Sequence, residues 1–221
     1  MNRAIIADTE TTSIKKPEVL HFAWAEMEEL KVVGEIQEKF YSSKEPCEFG
    51  ALATHHILPE DVAGMPLYDL GKFPSGFNYM VAHNVDFDWN ALGKPKVKLI
   101  CTLAIARKLY PKCDSHRLSA LMYYLNGATA EVRESLTGAH NAKVDVQLLC
   151  GLLEHIKNDV DIHTLPNLYT FSEDSRIPSI MTFGKYKDQP IHAVDRGWYN
   201  WYRRQPDTDP YLLEAFKRAG F

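Results

Sequence analysis

The chain opens on an apolar run, Arg3–Asp8 (RAIIAD), that stops at carboxylates and predicts a first strand. Val19–Glu26 mixes apolar, aromatic and polar residues and predicts a second. Lys31–Ser42 alternates well enough for a third, just after Glu28-Glu29. Three consecutive strands with short links predict an antiparallel meander. The pattern then changes. Phe49–Ile57 predicts a short helix with Pro59 just beyond it, and 66–76 reads as loop or weak helix. Short apolar strands at Tyr79–His83 and Val97–Cys101 alternate with helices beginning at Phe87 and spanning Thr102–Leu109 and Leu118–Leu125. Ala142–Ile156 has the clearest helical period, with Val144, Leu148, Leu149, Leu152, Leu153 and Ile156 on one stripe. Strands first antiparallel, then alternating with helices, predict an α/β protein built on a mixed sheet. Polar residues with Pro166 and Pro178 then read as a linker. Beyond it, 180–221 is dense in aromatics, enough for a small packed unit.

Composition narrows the class. With 221 residues and 45% hydrophobic content, the chain can bury one sizeable core and a small appended unit. No apolar run approaches the roughly 20 residues that span a bilayer, and the early first strand leaves no room for a signal peptide. Cys47, Cys101, Cys113 and Cys150 form no C-x-x-C, so neither a disulfide framework nor a zinc site is expected. A reducing cytoplasm, with no membrane partner, is the expectation. The net charge is −4, but from Arg176 onward eight Lys and Arg stand against five acids. An acidic body of −7 therefore precedes a mildly basic tail of +3.

The candidate chemistry starts at the end of the first strand. Asp8 and Glu10 flank a threonine, and side chains two apart in a strand share a face. Two carboxylates at the edge of a core are costly unless neutralised, and a hard divalent cation is the fitting neutraliser. A D-x-E pair also turns up about once by chance in a chain this long, so its weight depends on partners. Asp88 starts a helix after an apolar strand, a place that also suits an ordinary helix N-terminal acid. Asp145 lies in the first turns of the long helix, and His140 in the loop leading into it. Four carboxylates and a loop histidine are what two-metal-ion phosphodiester hydrolysis requires, with the histidine taking a proton near neutral pH.

In this order, D-x-E-T-T, H-N-x-x-F-D and H-x-x-x-x-D resemble the motifs of the DEDDh 3′–5′ exonucleases. That family lies in the ribonuclease-H-like superfamily, and the resemblance covers about residues 3–160. It implies an antiparallel three-strand meander plus parallel strands, flanked by helices. It makes Asp8, Glu10, Asp88 and Asp145 the ligands of two Mg²⁺ or Mn²⁺ ions, and His140 the general base. Thr9 and Thr11 become the floor under the last nucleotide, and Ile14 the apolar wedge against its base. His55, in the family's H-x-I stretch, would lie along that nucleotide, although a helix-end histidine is an equal reading. Asn84 and Phe87 would shape the pocket, whereas Asp86 falls outside the motif and reads as a solvated acid. Ser13 replaces a common glycine, and His21 stands where the family usually has a glutamate, leaving the local hydrogen bonding open.

Thr182–Lys187 (TFGKYK) followed by Trp198-Tyr199-Asn200-Trp201 resembles the C-terminal extension of the exodeoxyribonuclease X family, with Asp188 and Gln189 departing from its turn. The implied organisation is an exonuclease domain over 1–160, a linker over 161–179 and the extension over 180–221. The implied activity is removal of 5′-mononucleotides from DNA 3′ ends, single-stranded or frayed, in DNA repair. An exoribonuclease or a silent binding module are the alternatives, and a homodimer is left open. The extension's aromatics read first as core and second as a single-strand contact.

Overall fold

The computed structural model describes residues 2–221. It divides into a first compact unit ending at Ser172 and a second, Glu173–Phe221.

The first unit is built on one five-stranded mixed sheet. Its strands are β1 (Arg3–Thr11), β2 (Val19–Glu28), β3 (Lys31–Phe40), β4 (Tyr79–Ala82) and β5 (Lys98–Cys101), in the spatial order β3-β2-β1-β4-β5. β1, β2 and β3 pair antiparallel, while β4 runs parallel to β1 and β5 parallel to β4. β2 and β3 join through Glu29 and Leu30, both at positive φ, which lets the strands turn tightly. β3 is an edge strand rich in Lys and Glu, a composition that discourages further pairing. β4 is buried along its whole length, as expected of an interior parallel strand.

Helices cover both faces. In chain order they are α1 (Phe49–His55), α2 (Val85–Ala91), α3 (Thr102–Leu109), α4 (Leu118–Asn126), α5 (Ala130–Ser135), α6 (Ala142–Val160) and α7 (Leu165–Ser175). Alternation along β1 sends Ala4 and Ile6 into one core with Ile105, Leu121, Leu149 and Leu152. Ile5 and Ala7 face the opposite layer with Phe22, Trp24, Val85 and Leu92. The α6 stripe of Val146, Leu149, Leu152, Leu153 and Ile156 is buried and packs on β1, β2 and β3.

Four local differences from the sequence expectation have physical reasons. β1 runs on to Thr11 rather than ending at Asp8, because polar residues inside the ladder still pair with β2. α5 was not read, since it buries no residue and is held by its Thr129 cap, whose Oγ1 accepts from Val132 N–H at 3.3 Å. α6 continues to Val160. The stretch expected to be a linker, 161–179, instead carries α7. Leu165 and Leu168 are fully buried, and Pro166 sits in the first turn, where its missing N–H costs nothing. Ser172 Oγ on α7 accepts from Cys101 N–H at 2.8 Å at the end of β5.

The second unit contains single 3₁₀ turns at Gly184–Tyr186 and Ile191–Ala193, then α8 (Arg196–Tyr202) and α9 (Pro210–Arg218). Asp195 caps α8 by accepting from Trp198 N–H at 2.8 Å, and Asp209 caps α9 by accepting from Tyr211 N–H at 2.8 Å. Met181, Ile191, Val194, Tyr202, Leu212, Ala215 and Phe216 form its core. Glu173 and Asp174 belong to this unit, so its net charge is only +1.

Candidate active site

The second half of β1 places Asp8 and Glu10 on the sheet face that α6 covers. Their cross-strand partners are Ala23 and His21, and the register slips just after Glu10. Ala23 is small, which leaves room above it for a carboxylate. Asp145 comes from the first turns of α6. The helix start is fixed by Asn141, whose Oδ1 accepts from Lys143 N–H at 3.1 Å. Ligand oxygens of Asp8, Glu10 and Asp145 lie within 4.8 Å of one another. Asp88, at the start of α2, is buried against the same strand. Its Oδ1 accepts from both Thr9 N–H at 2.9 Å and Thr9 Oγ1–H at 2.8 Å. Asp88 lies outside the closest trio, yet its charge acts on Asp8 and Glu10.

These carboxylates disfavour one another's ionisation. Burial, then Asp88, Asp145 and Glu10, hold Asp8 well above the carboxylate range. Burial and the charges of Asp145 and Asp88 push Glu10 up to about 8. Burial takes Asp88 to about 7 against the pull of its Thr9 bonds, and burial raises Asp145 as well. Among the described residues, none of the four forms an ion pair with a Lys or Arg side chain. Lys143, two residues before Asp145, is engaged by Glu38 at 2.7 Å. An all-oxygen donor set without an internal counter-charge fits a hard divalent cation.

The same electrostatics carry a stability prediction. A carboxylate whose folded pKa is raised stabilises the fold below its unfolded pKa of ~4, and loses that contribution as pH rises through the folded value. For Glu10 and Asp88 those folded values are about 8 and about 7. In EDTA, melting temperature is expected to fall between pH ~5 and ~8, and Mg²⁺ or Mn²⁺ to restore it most at the alkaline end. Glu10→Gln should flatten that slope and raise the metal-free midpoint at the alkaline end by about 2–4 °C per kcal/mol relieved. A pH-independent midpoint without a metal response would contradict the electrostatic account.

The remaining sequence-predicted residues fall around this cluster. His140 is exposed, at φ 68°, and its N–H donates to Asp145 Oδ2 at 3.1 Å, tying the histidine loop to the helix carboxylate. Thr9, expected in the nucleotide floor, uses its hydroxyl on Asp88 and so positions a carboxylate. Thr11 is buried, with Oγ1 donating to Ser13 C=O at 3.1 Å. The loop that follows is closed by Thr12 N–H to Glu18 C=O at 3.0 Å and presents Ile14 at 81% exposure. His55 ends α1, buried, with Nδ1 accepting from Ile57 N–H at 2.9 Å and its ring also bonded to the Thr11 main chain. It is thus both a helix-end histidine and a neighbour of the β1 loop, and burial lowers its pKa. Asn84 precedes α2 at φ 75°, exposed, and Phe87 is half-buried beside it. Asp86 is exposed. His83 lies inward of the site, its ring nitrogens 3.0 Å from Thr102 Oγ1 and 2.8 Å from His116 C=O.

One network was not foreseen. His21 is fully buried, stacks on Phe40 with centroids 4.0 Å apart, and places Nε2 3.2 Å from Glu38 Oε2. Glu38 Oε1 in turn accepts from Lys143 Nζ. Burial lowers the His21 pKa, outweighing the opposing pull of Glu38. The chain His21–Glu38–Lys143 joins β2 and β3 to the first turn of α6, beside Asp145. The substitution at position 21 signalled that local bonding would differ; the partners on β3 and α6 were too distant in sequence to name.

No protein-family model matches the chain. Over 92% of its length it is 26% identical to exodeoxyribonuclease 10 of Escherichia coli strain K12, spanning 91% of that protein. The same protein from E. coli O6:H1 matches equally. Among solved structures, exonuclease X in complex with 5′-overhanging duplex DNA superposes with a TM-score of 0.61 at 24% identity, over 75% of this chain and 99% of that one. A single-stranded DNA complex of E. coli exonuclease I gives 0.59 at 16%, over 77% of this chain and 42% of that one. By sequence the chain is similar to exodeoxyribonuclease 10 along nearly its whole length, and its fold is similar to that of these solved exonucleases.

Proposed function

We propose that this chain is a divalent-metal-dependent 3′–5′ exonuclease that removes 5′-mononucleotides from DNA ends. The observation that carries the reading is the convergence of Asp8, Glu10 and Asp145 within 4.8 Å, with Asp88 clamped to Thr9 beside them. The relatives add that one is named an exodeoxyribonuclease and that exonucleases of this fold have been solved with DNA. Asp8, Glu10, Asp88 and Asp145 would hold two Mg²⁺ or Mn²⁺ ions. When bound, such ions supply Lewis-acid activation and neutralise charge at the scissile phosphate.

The protein's own groups do the rest. His140 accepts the proton of the attacking water, from a loop anchored to Asp145. Ile14, held out into solvent by its closed loop, packs on the terminal base. Thr11, His55, Asn84 and Phe87 bound the space for the last nucleotide. The net charge of −4 is no obstacle, because the phosphate at the reacting centre would be met by the bound cations. No described helix is long and apolar enough to cross a membrane.

The test is digestion of matched DNA and RNA oligonucleotides, labelled at either end, with Mg²⁺ and with EDTA. Expected are mononucleotide release from 3′-labelled DNA in Mg²⁺, slower loss of RNA, and silence in EDTA. Faster loss of RNA would reassign the substrate, and release from the 5′ end first would reverse the polarity.

A further inference from the structure

The second unit separates its aromatics into two populations. Tyr202 and Phe216 are core, at 6% and 0% exposure, and Leu212, Ile191 and Met181 pack with them. Phe183 and Trp201 stand 41% and 55% exposed, Phe183 at the rim of that core with its ring 5.9 Å from Tyr202. Between them lies Trp198, half-buried and stacked on Tyr202 with centroids 5.2 Å apart and planes 9° apart. Trp198 lies 6.0 Å from Phe183 and 5.7 Å from Trp201. The result is a row of three rings with a fixed middle member and open outer members. Large aromatics left in water beside a complete core mark a surface that meets a partner.

The charge around the row says which partner. Arg204 lies in the turn that closes α8, its main-chain N–H donating to Trp201 C=O at 3.2 Å, and Lys187 directly follows Tyr186, whose ring lies 6.0 Å from Trp198. Arg204, and Lys187 after the 3₁₀ turn, are exposed and have no acidic partner among the described residues. Asp195, which caps the helix carrying two of the rings, is already engaged by Lys185, by the Tyr186 hydroxyl and by the α8 main chain. Open rings at this spacing beside unneutralised cations match single-stranded nucleic acid, whose bases stack on aromatics while its phosphates meet the cations.

We propose that Phe183, Trp198 and Trp201, with Arg204 and Lys187, form a binding surface on the second unit for single-stranded nucleic acid. Its use in catalysis rests on the exonuclease reading, but its existence as a binding surface does not. It would hold a strand without reading sequence, because every base offers a stacking face.

The experiment uses the full chain in EDTA, where no cleavage is possible, and measures the Kd of a fluorescein-labelled dT₂₀ by anisotropy. Phe183→Ala combined with Trp201→Ala should weaken binding roughly tenfold or more. Arg204→Glu should weaken it several-fold and lower the salt dependence of log Kd by about one phosphate's worth. Hydrolysis of thymidine 5′-monophosphate p-nitrophenyl ester in Mn²⁺, a substrate too small to reach beyond the reacting centre, should stay within about twofold. Near-UV circular dichroism checks that Trp198 keeps its packing. Unchanged dT₂₀ affinity in a folded double variant overturns the proposal. So does a drop in molar mass on Phe183/Trp201 replacement without a change in Kd, which would make the patch a contact between two copies. Failure of the parent protein to cleave DNA, with ring-dependent binding intact, would instead count against the exonuclease reading alone.

Discussion

Asp8→Asn is expected to lower DNA hydrolysis by about 10⁴-fold or more, with the protein still folded. Asp8 is the carboxylate on which the other three act: Asp88, Asp145 and Glu10 all raise its pKa, beyond the effect of burial. In the proposed site, a carboxylate so surrounded would take the largest share in holding divalent cations. Removing it forfeits several kcal/mol of transition-state charge stabilisation, and each ~1.4 kcal/mol is a factor of ten. The amide keeps the side chain's volume, so no cavity opens between β1 and α6. It also removes a repulsion, so the metal-free variant should melt no lower than the parent at alkaline pH, and higher if relief dominates. Titration with Mn²⁺ followed by calorimetry should show weakened or absent binding. Turnover equal to the parent's in Asp8→Asn would refute the assignment of this cluster as the reacting centre. Lost turnover with undiminished Mn²⁺ affinity would move the metal sites elsewhere.

What the sequence revealed about this centre depended on how local each signal was. The Asp8/Glu10 pair was legible because strand alternation alone puts both on one face. Asp88 and Asp145 were legible as helix-start acids, and the order of the three motifs made them a set. The Thr9–Asp88 clamp spans 79 positions and has no local signature; it shows only once β1 and α2 are neighbours. Similarly, Lys143 reads as an ordinary exposed lysine until Glu38 and His21 are seen across the sheet, 105 positions from Lys143 to Glu38. The five strands followed from short apolar runs, because burial on one or both faces writes itself into alternation or continuity. α5 escaped because a helix that buries nothing leaves no apolar period. α7 escaped because two prolines were read as punctuation, although Pro166 occupies a first-turn position that tolerates it. The aromatic tail was read mainly as core, which holds for Tyr202 and Phe216; Trp201 differs because its face of α8 points away from that core.

His140→Ala should slow hydrolysis by about 10²–10⁴-fold, the range for losing a positioned general base, with KM nearly unchanged. The geometry separates this loss from that at Asp8. His140 reaches the site through its main chain, whose N–H holds Asp145 Oδ2 at 3.1 Å, and an alanine retains that N–H. The φ of 68° is a left-handed conformation in which any L residue is strained, so alanine neither worsens nor cures the backbone, whereas glycine would loosen the loop. Mn²⁺ affinity and binding of dT₂₀ in EDTA are therefore expected to match the parent's. The distinguishing readout is the pH profile of kcat. In the parent, the rate should fall on the acid side as the imidazole becomes protonated and can no longer take the proton from water. In His140→Ala that acid limb should vanish from the residual rate. The carboxylates give the opposite control: their raised pKa values belong to the metal-free protein, so saturating Mg²⁺ should shift any limb they cause but leave a histidine limb in place. An acid limb unchanged in His140→Ala, and still movable by Mg²⁺, would transfer the proton-accepting role from His140 to the carboxylate cluster.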